Sequence, residues 1–371
     1  MRLVYLSPVP WASFAQRPHK FVEWFQGASG GQILWIDPYP TRLPSWSDLR
    51  GSREISIPSI ETLPLGLSVI TPQAFPIEPL PWSGAVNRLL WTKIFISVQE
   101  FCLAGPTILG IGKPSELALQ LLSTDGFQST FYDAMDDFPA FYKGLSRRAM
   151  ARREQKVIDR VSSVLVSSSE LRSRWLDSNN ILLTRNACDT QLIAEIAGAT
   201  LSQKKPILGY VGTIGNWFDW DLLAAIADAI PSMEVRLIGP VFTPSPLKLP
   251  ENVRFFPPCT HEVALAAMRE FSIGLIPFKE NRLTRSVDPI KYYEYRAWGL
   301  PVLSSVFGEM RLHQNDSGVF LIDSISGGDA LRGQIDAALA YETSTFEVEE
   351  FRKSNSWESR FTATGLLQRN L

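Results

Sequence analysis

The sequence predicts an α/β protein with two doubly wound domains, and three observations support this prediction. Short apolar runs alternate with helical runs in both halves of the chain. At the start, strand, helix and strand follow one another within about 35 residues, a spacing typical of parallel βαβ units. The pattern restarts at 207–215 (ILGYVGTIG), after the polar segment 202–206 (SQKKP), which we interpret as a linker. With 371 residues, the chain is long enough for two such domains.

In the first half, the predicted strands are short apolar runs that end in small or acidic residues, as buried parallel strands do. They cover 3–7, 32–37, 107–112, 129–133 and 162–169. A helical stretch from His19 and a glycine-rich turn separate the first two strands. The proline-rich region from Pro40 to Pro81 lacks periodicity, and we predict a long irregular insertion there.

In the second half, the predicted strands cover 207–215, 234–240, 253–256, 272–278, 301–305 and 318–322. We place an N-terminal domain at 1–200, a C-terminal domain at 201–350, and a last helix at 351–371 that packs back on the N-terminal domain. Open parallel sheets bind ligands outside the carboxyl ends of their strands. Two such domains that face each other would enclose a central cleft, so the residues just after strands are candidate site residues.

Composition excludes several classes of protein. A hydrophobic fraction of 45% with 20% charged residues is typical of a globular chain, and a net charge of -2 gives no general attraction to nucleic acid. Three cysteines without a C-x-x-C pair and three histidines without close spacing argue against a disulfide framework and a metal site. No apolar run reaches the ~18 residues of a membrane span, and the N-terminus is no signal peptide. We expect a soluble, cytoplasmic protein.

The turn from Gly212 to Asn216 follows the first strand of the second half. Glycine lets the backbone approach a ligand, and the next helix would direct free N–H groups at an anion. The turn is not G-x-G-x-x-G, so a dinucleotide site is only weakly indicated, and a tight strand-to-helix turn is the alternative. Gly239 follows a later strand, and for it we likewise favour a turn residue over a ligand-binding residue.

The segment 286–305 (SVDPIKYYEYRAWGLPVLSS) concentrates charge before a buried strand. Asp288 is the predicted N-cap and Pro289 the first residue of a helix that ends near Trp298. Lys291 in the first turn opposes the helix dipole unless an anion binds nearby, and Glu294 lies on the same face. A diphosphate would explain the lysine, and the carboxylate would suit sugar hydroxyls. The alternative is a surface Lys–Glu pair worth ~0.2–0.5 kcal/mol.

Candidate acceptor-side residues follow strands of the first half. Asp133, Asp136 and Asp137 could orient hydroxyls or act as a base at the carboxyl end of a strand. The alternative is that they are N-caps or solvated loop charges. Arg17 could reach a phosphate or an acidic acceptor, whereas for His19 a surface position at the helix start is favoured.

A basic helix is predicted within Lys143–Arg160, which carries seven basic and two acidic residues. Its buried face would comprise Leu145, Ala149, Met150, Val157 and Ile158. Such a helix could rest on anionic lipid headgroups, but a solvated face is the commoner outcome.

Taken in order, these features resemble GT-B glycosyltransferases. The likeness is to family 4-like bacterial enzymes of surface polysaccharide assembly, including the teichuronic acid type. It rests on WASFAQRPH (11–19), FYDAMDD (131–137), SSSEL (167–171) before LTRNACD (183–189), and DPIKYYEYRAWGLPV (288–302). It covers most of the chain and is least clear in the Pro40 to Pro81 region.

The resemblance implies transfer of a sugar from a UDP- or GDP-sugar to a hydroxyl of a glycan or lipid-linked acceptor, with retention of configuration and without a metal. The second domain would hold the nucleotide and the first the acceptor. Glu294 matches the last Glu of the family's E-x7-E motif, which contacts the donor's ribose. The first Glu of that motif falls on Ser286. The usual Arg and Lys after the first strand are also absent, since Asn216, Trp217 and Phe218 stand there.

On this interpretation Lys291, with Arg282 or Arg285, offsets the diphosphate charge and stabilises the leaving nucleotide. Asp133 or Asp137 would position the acceptor hydroxyl. The full donor-side set is Gly212, Thr213, Gly215, Asn216, Gly239, Arg282, Arg285, Lys291, Tyr293 and Glu294; the acceptor-side set is Arg17, His19 and Asp136. The alternatives are a non-catalytic GT-B-like scaffold of polysaccharide assembly, which the departures from the motif favour, and another nucleotide-sugar enzyme such as an epimerase.

Overall fold

The computed structural model describes residues 1–43, 63–80, 82–176, 180–197, 206–322 and 328–368. The chain divides into two compact units, one of Met1–Thr184 with Phe361–Leu371 and one of Arg185–Arg360. Each unit contains one parallel sheet with its own buried core. The first part of the prediction, an α/β protein with two doubly wound domains, is therefore confirmed.

The sheet of the first unit has the strand order β3-β2-β1-β4-β5-β6-β7. The strands are β1 (Arg2–Leu6), β2 (Gln32–Ile36), β3 (Leu67–Ile70), β4 (Thr107–Ile111), β5 (Phe127–Ala134), β6 (Ser163–Val166) and β7 (Ile181–Leu183). Because β1 pairs in parallel with both β2 and β4, the strand order reverses between β1 and β4. The carboxyl ends of strands at such a reversal are where open α/β sheets bind ligands.

The helices of the first unit cover the two faces of this sheet in the usual βαβ manner. They are α1 (Arg17–Ser29), α2 (Ser83–Arg88), α3 (Thr92–Leu103), α4 (Glu116–Leu121), α5 (Gly144–Ile158) and α6 (Ser169–Arg174). Ser115 and Ser168 cap α4 and α6, because each side chain accepts a hydrogen bond from an N–H of the first turn.

The sheet of the second unit has the strand order β10-β9-β8-β11-β12-β13, which reverses between β8 and β11. Its strands are β8 (Ile207–Val211), β9 (Glu234–Ile238), β10 (Val253–Phe256), β11 (Ile273–Ile276), β12 (Val302–Ser305) and β13 (Val319–Ile322). The helices are α7 (Thr190–Ala197), α8 (Trp220–Ala229), α9 (His261–Met268), α10 (Ile290–Ala297), α11 (Gly328–Leu339) and α12 (Thr345–Ser354). A last helix, α13 (Trp357–Thr362), crosses the division between the units in sequence.

One aromatic side chain fixes α10 on the second sheet. Tyr295 is fully buried, and a Cβ built on Gly274 of β11 would lie 2.3 Å from its ring, so only glycine permits this approach. The Tyr295 hydroxyl accepts a hydrogen bond from Val211 N (3.2 Å) and lies 3.3 Å from Gly209 O, both in β8. The helix that carries Lys291 and Glu294 is thereby held over the strands where the order reverses.

Two strands were not predicted. Leu67–Ile70 lies in the region predicted as an irregular insertion, yet it pairs in parallel with β2. It is a four-residue edge strand with a mostly half-exposed pattern, so its sequence lacks the continuous apolar run of a central strand. The prediction of an irregular insertion is therefore wrong at Leu67–Ile70. Residues 44–62 and Pro81 of the same region lie outside the described residues. The short edge strand Ile181–Leu183 was missed for the same reason.

The division between the units falls at Thr184/Arg185, earlier than the predicted 200/201. The reason is that Ile193 of α7 is buried in the core of the second unit, and Asn186 hydrogen-bonds Asp288. At the other end, residues up to Arg360 belong to the second unit and only Phe361 onwards to the first. The Phe361 ring packs against Phe21 with 5.0 Å between centroids. Most of the predicted linker, 202–205, lies outside the described residues.

The basic helix is present as α5, but its buried face differs from the prediction. Met150, Val157 and Ile158 are buried as predicted, whereas Leu145 is 63% exposed. Charged Arg153 and Glu154 are buried instead, because each has a polar partner: Arg153 donates to Glu116 and Glu154 accepts from the Tyr132 hydroxyl. The charge of Arg153 is compensated by Glu116, whereas burial raises the pKa of Glu154 to about 8, so that its carboxyl is mainly neutral at pH 7.

Candidate functional site

Two glycines bring the backbone together at the carboxyl edge of the second sheet. Gly212 follows β8 with a φ of +146°, and Gly239 follows β9 with a φ of +136°. A Cβ on Gly239 would lie 2.3 Å from the Gly212 carbonyl oxygen, so another residue cannot stand there without moving the turn. A Cβ on Gly212 would lie 3.3 Å from Cε of Lys291. The two turns and the lysine therefore form one compact surface.

The helix α10 begins one residue later than predicted. Its N-cap is Pro289, and no side chain accepts a hydrogen bond from its first turn. The predicted cap, Asp288, is wrong, because its buried carboxylate already accepts from Asn186 N (2.6 Å) and from the Tyr293 hydroxyl (3.0 and 3.1 Å). Burial raises the pKa of Asp288 to about 7. No capping side chain therefore competes with an anion for the first turn of α10, although Tyr292 N already donates to the Pro289 carbonyl at 3.0 Å.

A lysine and a histidine converge on the Glu294 carboxylate. Lys291 Nζ donates to Oε2 of Glu294 at 2.8 Å, and His261 Nε2 lies 3.0 Å from Oε1. The carboxylate is 3% exposed, while the lysine and histidine side chains are 23% and 22% exposed. Both side chains can therefore meet a ligand from the solvent side while they hold the carboxylate.

The pKa of Glu294 reflects this surrounding. Burial by itself raises the pKa of the carboxyl, but the Lys291 ammonium and the hydrogen bond and charge of His261 outweigh burial and lower the pKa to about 2. Glu294 is consequently ionised throughout the physiological range. A permanently ionised carboxylate can only accept hydrogen bonds, which suits ligand hydroxyl groups.

His261 was not predicted as a site residue. It is the first residue of α9, after Thr260, whose hydroxyl caps that helix. The one sequence signal for His261 is its position at the start of a helix that follows a strand. Such a residue lies at the carboxyl edge of the sheet, where ligands bind. Its partner Glu294 is 33 residues away in the chain, and no motif spacing links them.

Two arginines stand beside this cluster in sequence. Arg282 and Arg285 are exposed, and neither has an ion pair within the part of the chain that the structure describes. Arg282 precedes a 3₁₀ turn, Thr284–Ser286, that leads into α10, and Arg285 is the middle residue of that turn. Ser286, at the position of the motif's first Glu, is fully buried, and its Oγ has no hydrogen-bond partner among the described residues.

The remaining donor-side candidates differ in accessibility. Asn216 is exposed, whereas Tyr293 is buried with its hydroxyl on Asp288, so Tyr293 cannot face a ligand as placed. The Thr213 carbonyl accepts from the Tyr210 hydroxyl (2.8 Å), and Gly215 packs closely on Trp217. We expected a helix to begin directly after the turn from Gly212 to Asn216. Instead α8 begins at Trp220, and the Asp219 side chain caps its first turn.

In the first unit, Arg17 and Asp133 form a buried pair. Arg17 Nε lies 3.0 and 3.1 Å from the two Asp133 oxygens, and Nη2 lies 2.8 Å from Oδ1. Arg17 Nη1 also donates to the Thr184 carbonyl at 2.8 Å. Both side chains are almost fully buried, so this arrangement orders β5 and α1 and leaves neither group facing solvent.

His19 is buried, which contradicts its expected surface position. Its Nδ1 accepts from Gln16 N (3.2 Å) and Nε2 faces the Trp11 carbonyl (3.1 Å), so the proton lies on Nε2. Burial lowers the pKa of His19, which keeps the ring neutral. The ring packs between Trp11 and Trp35, at centroid distances of 5.1 and 5.0 Å. It completes a capping box at the start of α1.

Asp136 is the accessible member of the carboxylate cluster after β5. Asp137 is buried, and its Oδ2 lies 2.8 Å from Arg174 Nη1. Asp136 is half-buried, and its side chain has no partner among the described residues. Burial raises its pKa to about 7, with repulsion from Asp133 and Asp137 adding to the rise and Arg17 opposing it.

Three comparisons relate the chain to known proteins. The sequence matches no protein-family model. It is 22% identical over 207 residues to TuaH of Bacillus subtilis (strain 168), described as a candidate teichuronic acid biosynthesis glycosyltransferase. That match covers 50% of this chain, and it spans only 52% of the relative's length.

Solved structures match along the whole chain. An E. coli structure, described as trehalose-6-phosphate bound with UDP-2-fluoro glucose, has a TM-score of 0.63 at 12% identity, with 100% of this chain and 99% of that chain covered. The Anabaena protein Alr3699/HepE, in complex with UDP and glucose, has a TM-score of 0.63 at 12% identity and complete coverage of both chains. The chain has the GT-B fold. A Rickettsia africae glycosyltransferase matches at a TM-score of 0.61 and 11% identity, covering 100% of this chain and 99% of that one.

No helix in the described ranges is long and apolar enough to cross a membrane. Within the same ranges, no group of three or more histidine, cysteine and acidic side chains is arranged to hold a metal ion.

Proposed function

We propose that the protein transfers a sugar from a nucleoside diphosphate sugar, with UDP or GDP as the nucleotide, to an acceptor hydroxyl. The observation that carries the proposal is the Glu294 carboxylate held by Lys291 and His261 at the carboxyl edge of the second sheet. An ionised carboxylate beside the partly exposed Lys291 ammonium suits a ligand that bears both hydroxyls and a diphosphate. The fold and the UDP complexes of similar structures support the same ligand class.

Charge on the leaving diphosphate would be stabilised by three cations and one helix. Lys291 stands in the first turn of α10, where its charge is unfavourable for the helix dipole and favourable for a bound anion. Arg282 and Arg285 are exposed and have no ion pair among the described residues, so they can turn to the diphosphate at little cost. Such stabilisation is the largest catalytic contribution in many enzymes. We propose no requirement for a metal, so activity should persist in EDTA.

Glu294 would recognise hydroxyl groups of the donor, those of the ribose in the first place. Each carboxylate oxygen accepts one hydrogen bond now, from Lys291 and His261, and retains capacity for another. With a pKa of about 2, the group needs no proton uptake or release when the ligand binds. We therefore assign it to binding and not to proton transfer.

On the acceptor side, Asp136 is the carboxylate suited to take a proton. The acceptor oxygen approaches the anomeric carbon on the face from which the diphosphate departs, and the new bond forms there as the bond from that carbon to the β-phosphate oxygen breaks, which retains the configuration. The acceptor's proton passes to Asp136, and the nucleoside diphosphate leaves with the electron pair. A base with a pKa of about 7 is well matched to neutral pH. Arg17 and Asp133 position this loop and do not contact the acceptor; we propose that the configuration is retained.

We further propose a glycan or lipid-linked acceptor in bacterial surface polysaccharide synthesis, at the cytoplasmic face of the membrane. The described role of the TuaH relative supports this acceptor class. On α5 and the turn before it, exposed Phe141 and Leu145 lie in sequence beside exposed Lys143 and Arg148. Exposed apolar and basic side chains together favour contact with anionic lipid.

A non-catalytic GT-B-like role is the second candidate. The observation that favours it is Ser286, which places a neutral, buried hydroxyl where the family has a carboxylate. The Asn216-Trp217-Phe218 sequence likewise supplies no cation where the family has two. A protein of this kind would leave Asp136 without a role in proton transfer.

A thermal-shift screen against UDP, GDP and CMP tests the proposal. We expect UDP or GDP to raise the melting temperature, and Lys291→Ala and Glu294→Ala to abolish the rise. Lys353→Ala, which removes an exposed cation of α12, is the matched control and should keep the full shift. If no nucleotide shifts the wild type, or if both site variants shift as the wild type does, the donor site is wrongly assigned. Nucleotide binding without transfer by any tested sugar would favour the second candidate.

A further inference from the structure

A cavity in the first unit lies between α2, α4 and α5, on a different unit from the donor site. Its volume is ≈ 380 Å³. It is lined by Pro79, Leu80, Trp82, Ser83, Gly84, Ala85, Glu116, Gln120, Ala149, Arg152, Arg153 and Lys156. Nothing in the proposed sugar transfer uses these residues, so the inference below goes beyond that function.

The walls of the cavity are fixed by hydrogen bonds and close packing. Gln120 Nε2 donates to the Gly84 carbonyl at 2.9 Å, and a Cβ on Gly84 would lie 2.8 Å from Glu116 Oε2. Glycine thus lets α2 approach α4 closely. On the other wall, Arg153 Nε donates to Glu116 Oε1 at 2.8 Å and joins α5 to α4. The cavity is therefore a built feature of three helices and not a gap between mobile loops.

The charge that faces the cavity is positive. Glu116 is the one acidic residue among the lining residues, and buried Arg153 already pairs with it. Arg152 and Lys156 are exposed and have no ion pair in the described part of the chain. Arg153 is also ion-paired with buried Glu78, whose Oε2 lies 3.9 Å from Nη1, so two carboxylates compensate its charge. The two uncompensated cations, Arg152 and Lys156, favour an anion.

The rim of the cavity is apolar and aromatic. Trp82 is 84% exposed, and Leu80 beside it is 44% exposed. The backbone of Trp82 has a φ of +69°, a left-handed conformation that costs energy in a residue with a side chain. A bulky indole held out to solvent at such a position, beside cations, is characteristic of a surface that meets a partly apolar ligand.

We propose that this cavity binds a phosphate group of an amphipathic ligand, with the phosphate at Arg152 and Lys156 and the apolar part against Trp82 and Leu80. The chemistry is that of a phosphate ester, which a free metabolite or a lipid headgroup can present. Arginine and lysine recognise phosphate by charge and by directed hydrogen bonds. Glu116 stays paired with Arg153 and does not repel the ligand.

The test compares two double variants that each remove two positive charges. Arg152→Gln/Lys156→Gln changes the cavity, and Lys248→Gln/Arg254→Gln changes exposed positions of the second unit that do not line it. Calorimetric titrations use inorganic phosphate and glycerol 3-phosphate at constant ionic strength. Co-sedimentation uses phosphatidylcholine vesicles with and without phosphatidic acid. The melting temperature of each variant and its shift with UDP report on folding and on the donor site.

Binding of the soluble phosphates that falls at least tenfold in the cavity variant, and less than twofold in the control, supports the proposal with a soluble ligand. The same pattern seen only with phosphatidic acid vesicles supports it with a lipid headgroup as the source. Trp82→Ala should weaken vesicle binding and spare inorganic phosphate. If no probe binds the wild type, or if both double variants weaken binding equally, the proposal is overturned. If UDP still raises the melting temperature of the cavity variant, the donor site is intact. A failure of the cavity proposal is then separate from a failure of the donor site.

Discussion

His261 Nε2 lies 3.0 Å from Oε1 of Glu294, and this contact joins the start of α9 to the middle of α10. The other carboxylate oxygen is held by Lys291, one turn earlier on α10. The carboxylate is thus oriented from two elements of the second unit at once. Two side chains on different helices hold the carboxylate in place. Precise recognition of a donor requires such a fixed orientation.

Replacing His261 should weaken nucleotide binding without unfolding the protein. His261→Ala removes one hydrogen bond to a charged group, worth about 1.5–3 kcal/mol, so we expect UDP or GDP affinity to fall roughly 10- to 150-fold. His261→Gln keeps an N–H donor and should recover part of the loss. Calorimetry on the folded variants measures both. Equal affinity in His261→Ala and wild type would show that the histidine does not support the site.

Glu294 should make stability depend on pH in the acid range. Its pKa in the folded protein, about 2, lies below the ordinary value of 4.5. The ionised group therefore stabilises the fold above pH 4.5, and this contribution is lost as pH falls towards 2, up to about 3 kcal/mol. The difference in unfolding free energy between wild type and Glu294→Gln, from urea titrations at several pH values, should shrink over that range. A difference independent of pH would contradict the ion pair.

The reaction rate should titrate with Asp136. Below its pKa of about 7 the carboxyl is protonated and cannot accept a proton, so the rate should rise as pH increases from 6 to 8. Asp136→Asn should lower the turnover rate at least 100-fold while the nucleotide affinity stays unchanged. Asp125→Asn, at an exposed loop position, is the control. A flat profile, or an active Asp136→Asn enzyme, would remove Asp136 from this role.

Arg17 and Asp133 should behave as a coupled structural pair. Loss of one partner leaves a buried charge without compensation, so Arg17→Met and Asp133→Asn should each destabilise the fold by about 3–5 kcal/mol. The double variant should be less destabilised than the sum of the two. Urea unfolding of all four proteins gives the coupling free energy. Additive effects would show that the two side chains act independently.

Much of the fold could be predicted because its signals are local. The buried central strands are continuous apolar runs, and the turns that follow them contain the required glycines, such as Gly212 and Gly239. The resemblance to GT-B proteins agrees with the fold found. The short edge strand Leu67–Ile70 escaped prediction because only one of its four residues, Leu67, is buried and prolines surround it.

The site was only partly predictable, since sequence does not show which distant side chains meet. Lys291 and Glu294 are three residues apart in one helix, so their pairing follows from helical geometry. Asp133 is a residue type that often binds ligands, and it follows the pattern of a strand end. In the structure it forms a buried ion pair with Arg17, which is 116 residues away in the chain. His261 offered no motif, because its importance comes only from a contact across 33 residues.

Hydrogen–deuterium exchange with saturating UDP or GDP tests the central claim, a donor site around Glu294, most directly. We predict slower exchange in peptides that cover 212–216, 261–265 and 285–294, and no change in α1. Glu294→Gln should lose this protection, and the control Lys353→Ala should keep it. Protection confined to other segments, or the same protection in Glu294→Gln, would contradict the assignment of the donor site.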